Sequence, residues 1–174
     1  GSVYMEKVDG RKNPTVGLLN IGTEDTKGSE LYKESYALLK EAPVNFVGNV
    51  ESREIPKGDV DVVVADGFTG NIALKLIEGV SLTMFSMIKN VLYRNIKHKI
   101  GALLIKKGLY EIKAKSDYTE IGGAPLLGLR GLVIKTHGSS GSKEITNSIL
   151  ECIAFKKQEI SKKIEENLQN GKAE

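Results

Sequence analysis

The residues Asp66-Gly67-Phe68-Thr69-Gly70-Asn71 put a carboxylate, a hydroxyl and an amide side chain within six positions, bounded by glycines. They fall where the Val-rich run Val60 to Ala65 gives way to an apolar helical pattern. A continuous Val run is the pattern of a parallel strand covered on both faces. Gly67 and Gly70 allow a sharp turn and a close backbone approach, and Thr69 is a residue type that caps helices. The N–H groups at a helix start attract anions, phosphate above all, and open α/β sheets place ligands at the carboxyl ends of their strands. The simpler reading of the same residues is a βα turn with its cap.

Two further strand ends carry similar chemistry. His137-Gly138-Ser139-Ser140 follows the apolar run Leu132 to Thr136, and its hydroxyls and amides suit an anion. Against that stands a turn histidine beside an ordinary N-cap, Ser140 or Ser142, with Glu144 completing a capping box. Asn20-Ile21-Gly22 ends the run Thr15 to Ile21, with Thr23, Glu24, Lys27 and Gly28 behind it. Three such ends at one edge of one sheet predict a polar crevice with phosphate as its natural occupant.

The elements that must position these residues alternate in type. Strands are expected at Thr15 to Ile21, Asn45 to Val50 and Val60 to Ala65. A helix is expected from about Ser29 to Glu41, stopped by Pro43. Another runs from about Thr69 to Arg94, and a basic one continues past Gly101 to Ala114. Gly122-Gly123-Ala124-Pro125 is loop punctuation. Leu126 to Leu129 and Leu132 to Thr136 read as two short strands split by Arg130-Gly131. One last helix reaches roughly Asn167, and the final residues, 170–174, are expected to fray. The pattern predicts a single α/β domain over 1–174 on a mainly parallel sheet.

Composition narrows the function classes. The chain has 174 residues, 40% hydrophobic and 27% charged, with 19 glycines, which suits one soluble α/β domain. Cys152 is the single cysteine, so no internal disulfide forms, and a buried structural thiol is expected. No signal-peptide pattern and no apolar run of bilayer length is read, so a cytoplasmic location is expected. Two histidines and no cysteine pairs leave no metal motif, and no cofactor is expected. A Gly-x-Gly-x-x-Gly turn is missing, which argues against a dinucleotide site.

The net charge of +3 is unevenly spread. Residues 89–115 hold eight Lys or Arg against one acid, Glu111. Ile88, just before this segment, and Leu92, Ile96, Ile100 and Leu104 within it recur every four residues, a basic amphipathic helix. Such a helix contacts an anionic membrane surface or partner, or is an ordinary surface helix with a solvated lysine face. The candidate contact residues are Lys97, Lys99, Leu103, Leu104, Lys106 and Lys107. No aromatic-basic motif of a nucleic-acid-binding module is present, so no nucleic acid is expected.

At these residues the chain resembles a known family. Val16-Gly17-Leu18-Leu19-Asn20-Ile21-Gly22 with Glu24, Lys27-Gly28 and Glu30-Leu31 is similar to the PlsX family of bacterial phosphate acyltransferases. So are Phe46 to Glu51, Asp61 to Asn71, Gly122 to Gly128 and His137 to Ser140, in order and without large gaps from Gly1 to about Ile149. The resemblance implies a three-layer α/β/α fold like that of phosphate acetyltransferases and of the isocitrate and isopropylmalate dehydrogenase group. It implies transfer of a long-chain acyl group from acyl carrier protein to inorganic phosphate, giving an acyl phosphate for phospholipid synthesis. It also implies a peripheral enzyme at the cytoplasmic face of the membrane, which sharpens the reading of the basic segment. A homodimer is the expected assembly. The family opens with an N-terminal half bearing an Asp-Gly-Gly-Asp type signature that does not occur here. The chain therefore reads as the second half of a longer protein, with part of a shared crevice.

For that reaction Asp66 and His137 are the candidate catalytic residues, as base or orienting group. Asn20, Gly22, Gly67, Thr69, Gly70, Asn71, Gly138, Ser139 and Ser140 are the candidates for holding phosphate. The pantetheine arm and acyl chain need an apolar path, expected along the Gly122 to Gly128 loop and the helices of the 80s to 100s. The alternatives are a coenzyme A-dependent phosphotransacetylase- or phosphotransbutyrylase-like enzyme, and a non-catalytic module binding membrane or carrier protein.

Overall fold

The computed structural model describes residues 1–116, 122–129, 131–138 and 140–170, without side chains at 113–116 and 170. The first half is a parallel α/β unit. Strand β1 (Thr15–Asn20) lies between β2 (Asn45–Glu51) and β3 (Val62–Val64), all parallel, in the order β2-β1-β3. Helix α2 (Glu30–Glu41) connects β1 to β2 and lies against both. A short 3-10 turn, Ile55–Lys57, leads from β2 to β3. This is the α/β fold the sequence pattern predicts.

The central strand makes the core. Val16, Leu18 and Leu19 are buried with Val50 of β2, as expected of a strand hydrogen-bonded on both sides. Strand β3 departs from expectation: it is three residues rather than six, and half-buried rather than buried. A carboxylate fixes its start. Asp61 Oδ2 accepts from Thr15 N at 2.8 Å and from Thr15 Oγ1 at 2.9 Å, and Asp61 N donates back to Thr15 Oγ1 at 3.0 Å. Arg11 Nη1 donates to Asp61 Oδ1 at 2.9 Å. The amide and hydroxyl of Thr15, with Arg11 beside them, hold the Asp61 carboxyl below the usual carboxylate range.

Pairing along β1 is interrupted once. Val16 faces Phe46 and Gly17 faces Gly48, so Val47 is an extra residue, pushed out to 48% exposure, and Gly48 takes φ +94°. One bulged residue bends the strand and increases its twist. Gly17 sits at that irregularity with no room for a side chain, because a Cβ there would collide with Val50 Cγ2.

Helix α3 (Gly67–Leu92) follows β3, and α4 (Ile96–Ser116) packs back on it. Asn95 separates them and caps α4, its Oδ1 accepting from His98 N at 3.0 Å. The every-four apolar stripe is thus divided between two helices. Helix α3 is long and apolar enough, by length and composition, to cross a membrane, which corrects the expectation that no such run exists. Of its three charged residues, Lys75 and Glu78 pair at 2.7 Å and Lys89 lies in the last turn. Its N-terminus is bonded to the sheet unit through Asp66 and Tyr32, while none of its residues is buried.

The second half is built around two helices. A helix not foreseen from the sequence, α1 (Ser2–Lys7), packs on α6 (Ile160–Asn170). Tyr4 OH donates to Glu151 Oε1 at 3.2 Å, and its ring centroid lies 6.1 Å from that of Phe155, on α5 (Ser142–Lys157). The single last helix expected from the sequence is two, divided at Gln158 and Glu159, where Glu159 takes φ +51°. Cys152 is half-buried rather than buried. Two-residue strands β4 (Ala124–Pro125) and β5 (Ile134–Lys135) pair antiparallel, a little before and within the two predicted runs. The Arg130 part of the expected connection and residues 171–174 lie outside the described residues.

The tight approach at Gly17 yields a stability test. Gly17→Ala is expected to destabilise the chain by about 1–3 kcal/mol through overpacking. Urea unfolding should show a lower midpoint with an unchanged slope, and adding Val50→Ala should recover part of the loss. An unshifted midpoint would mean that β1 and β2 do not approach as closely as described.

Candidate functional site

Strands β1, β2 and β3 are parallel, so Asn20, Glu51 and the turn after Val64 lie at one carboxyl edge. His137 follows β5, in the separate two-stranded sheet. The three strand ends therefore belong to two sheets, not one. Periodicity identifies a strand but carries no information about its partner, and β5 pairs with its near neighbour β4.

Asp66 is the centre of the first turn. It is the N-cap of α3: Oδ1 accepts from Phe68 N at 2.9 Å and Thr69 N at 3.0 Å. Its Oδ2 accepts from the phenol of Tyr32, on α2. The Thr69 side chain, the Tyr32 phenol and the Thr69 and Phe68 amides hold the Asp66 carboxyl far below the usual carboxylate range. The carboxylate itself thus occupies the place where a helix N-terminus would bind an anion. Gly70 N is bonded to Asp66 O at 2.9 Å. The capping reading and the anion reading meet here: the amides of Phe68 and Thr69 serve Asp66. Thr69 is half-buried and Asn71 is exposed, at the first turn of α3. Gly67 has open space where a Cβ would stand, and a Cβ on Gly70 would make only ordinary contact with Ala65, at 3.5 Å.

The β1–α2 loop is held from below by two buried asparagines. Asn20 is 8% exposed; its Nδ2 donates to Lys27 O at 3.0 Å and its Oδ1 accepts from Ile21 N at 2.8 Å. Asn49 of β2 is 7% exposed and its Nδ2 donates to Glu24 O at 2.6 Å. Both ends of the loop are thereby fixed over the sheet. Gly28 stands at φ +92°, with Asn20 Oδ1 and Tyr32 Cβ each 2.8 Å from where its Cβ would be, so no side chain fits. Gly22 is buried, and Lys27, on the surface of the loop, lies 3.9 Å from Glu24.

At the second sheet, His137 is exposed, and Ser140 N donates to His137 O at 3.0 Å, closing a turn. Gly138 has open space around it and Ser140 is half-buried. Ser139 lies outside the described residues. The cap of α5 is Gly141, rather than Ser140 or Ser142, and Glu144 Oε2 accepts from Gly141 N at 3.0 Å. Gly122 and Gly123 are seated on α5: a Cβ on Gly122 would lie 2.7 Å from Ser148 N, and one on Gly123 would lie 2.6 Å from Ile134 Cγ2. Close backbone packing accounts for that glycine pair. Among the described residues no group of three His, Cys, Asp or Glu is arranged to hold a metal.

Of the helical contact residues, Leu103 and Leu104 are 70% and 81% exposed. Lys106 Nζ stands 5.7 Å from the Tyr110 ring centroid. A groove of about 820 Å³ runs between α3 and α4, lined by Leu82, Phe85, Leu103, Leu109, Lys99 and Lys106. Two functional-edge residues were missed in the sequence, Tyr32 and Asn49. Tyr32 reads as an apolar helix position, although a phenol near a helix start has a polar end to place. Asn49 stands in an otherwise apolar strand, and a polar residue there is the available signal.

A parallel sheet whose carboxyl edge carries a capped turn and a clamped loop defines an α/β protein of the kind that places its ligand at that edge. The chain belongs to the PlsX family of phosphate acyltransferases, matching the family described as "Fatty acid synthesis protein" over residues 1–163. It is 54% identical over 168 residues to the phosphate acyltransferase of Alkaliphilus oremlandii, covering 97% of this chain and 50% of that protein. It is 50% identical over 169 residues to that of Brevibacillus brevis, with 97% and 50% covered. With that of Bacillus thuringiensis it shares 57% over 149 residues, covering 86% and 45%. The chain spans about half the length of these curated relatives.

The depressed Asp66 carboxyl sets a pH dependence. A carboxylate with a lowered folded pKa adds stability that is present above its unfolded value, about 4, and is lost as pH falls toward the folded one. Thermal unfolding followed by circular dichroism should show wild type exceeding Asp66→Ala at neutral pH. The gap should begin to close as pH drops below about 4. A gap unchanged down to strong acid would remove the ionised cap.

Proposed function

We propose that the protein as encoded transfers a long-chain acyl group from an acyl carrier protein thioester to inorganic phosphate. A phosphate oxygen attacks the thioester carbonyl carbon, the C–S bond breaks, and the carrier thiol leaves with a proton. The products are acyl phosphate and free carrier protein, with acyl phosphate feeding phospholipid synthesis. The observation that carries this reading is the kinship to proteins named phosphate acyltransferase over 97% of the chain. The parallel sheet supports the reading, since open α/β sheets hold ligands at the carboxyl ends of their strands.

The reaction must hold two anions and steer one proton. Phosphate is already partly dianionic near neutrality, so positioning outweighs a strong base. Asp66, the N-cap of α3 and strongly acidic, is suited to orienting the first turn of α3 and unsuited to taking a proton. Thr69 and Asn71 on that turn and Lys27 on the facing loop are the groups offered to phosphate oxygens. His137 is the candidate for moving the proton, with Gly138, Ser139 and Ser140 beside it. The exposed apolar and lysine residues of the α3–α4 hairpin fit a cytoplasmic enzyme resting on the inner membrane face, and fit acyl carrier protein, which is also an anionic partner. A homodimer completes the proposal.

Incubation with phosphate and either a long-chain acyl carrier protein thioester or acetyl- and butyryl-coenzyme A, with acyl phosphate trapped as hydroxamate, separates the donors. Turnover with the carrier protein thioester is expected, and a preference for the short coenzyme A thioesters would point to the phosphotransacetylase alternative. Asp66→Ala and His137→Ala should both lower turnover; wild-type rates in both would displace the site. Sedimentation with anionic vesicles should be lost in Lys106→Glu/Lys107→Glu, and retained binding would free that surface of the role.

A further inference from the structure

A cap bond fixes a helix only to its own preceding residues. Asp66 bonded to Phe68 and Thr69 orders the start of α3 but does not place it relative to the β1–α2 loop, 40 or so residues earlier in the chain. The Tyr32 phenol supplies the missing tie. Its O–H donates to the second oxygen of the same carboxylate, joining residues 34 positions apart. On its other side the Tyr32 Cβ lies 2.8 Å from where a Cβ on Gly28 would stand, and Asn20 Oδ1 lies 2.8 Å from the same point. Asn20, Gly28, Tyr32 and Asp66 therefore form one contiguous stack from the end of β1 to the start of α3. The stack crosses between the two segments that carry Lys27 on one side and Thr69 and Asn71 on the other.

We infer that Tyr32 is a positioning residue for phosphate in the acyl-transfer site, acting through Asp66 to set the distance between the first turn of α3 and the β1–α2 loop. The inference rests on the reading of the site given under Proposed function. A phosphate held from both segments at once needs that distance fixed, whereas an acyl donor held elsewhere does not. Tyr32 is half-buried at the edge, and its ring can be kept while the hydroxyl is removed. Burial, then the Asp66 carboxylate, raises the phenol pKa, so the hydroxyl keeps its proton at working pH.

The experiment uses the protein as encoded, inorganic phosphate and a long-chain acyl carrier protein thioester. Tyr32→Phe is expected to raise KM for phosphate by about 10- to 100-fold, the scale of a small misplacement, with KM for the acyl donor and the thermal midpoint nearly unchanged. In a double-mutant cycle, Tyr32→Phe/Asp66→Asn should be no worse than Asp66→Asn alone, because both act on one bond. Additive losses would overturn the inference, since Tyr32 would then act independently of Asp66. A rise shared by both KM values with a lower midpoint would also overturn it, leaving a structural role. If Tyr32→Phe matches wild type while Asp66→Asn and Asp66→Ala are impaired, the site stands and the inference fails. If the Asp66 variants also match wild type, the site itself is misplaced and the inference falls with it.

Discussion

Two aspartates bracket a strand of three residues, and the arrangement of the sheet edge depends on the first of them. Asp61 fixes the start of β3 to Thr15 at the start of β1, through both the backbone amide and the hydroxyl. Parallel strands have no tight turn to set their register, so a side-chain stitch of this kind does that work. With only Val62, Val63 and Val64 between stitch and turn, Asp66 has no freedom to arrive elsewhere. The position of α3 follows from it, and through Tyr32 so does that of α2. A polar lock at one edge of the sheet thus determines the geometry of the opposite edge.

Much of this was legible in the residues. The alternation of Val-rich runs with helical spacing gives the α/β class, and the β1, α2, β2 and α3 segments fall within a residue or two of their expected limits. Asp66 is legible as a strand-end carboxylate, because Gly67, Thr69 and Gly70 around it leave few other structures open. What the pattern could not show is pairing. Leu132 to Thr136 reads as a strand like the others, yet β5 pairs antiparallel with β4, and His137 is taken to a different sheet. Long-range side-chain bonds are equally invisible: nothing in the local sequence says that Tyr32 will meet Asp66 or that Asn49 will reach Glu24.

The basic stretch was legible as chemistry but not as shape. Its four-residue apolar spacing runs unbroken through Tyr93-Arg94-Asn95, and a spacing count passes straight across a turn that keeps helical phase. The Asn95 cap breaks the helix there and folds α4 back on α3. The result is a hairpin that exposes Leu103 and Leu104 and lines a groove with Leu103, Lys99 and Lys106. An amphipathic stripe on one helix becomes a two-helix surface with apolar and cationic parts.

The Tyr32–Asp66 bond also gives the molecule an optical handle. The chain holds six tyrosines and no tryptophan, so its near-ultraviolet absorption is that of phenols, without the indole band that hides them in most proteins. A phenol donating to a carboxylate absorbs at longer wavelength than one donating to water. The Tyr32–Asp66 bond is therefore written into the chain's own spectrum, beside that of Tyr4, whose phenol donates to Glu151.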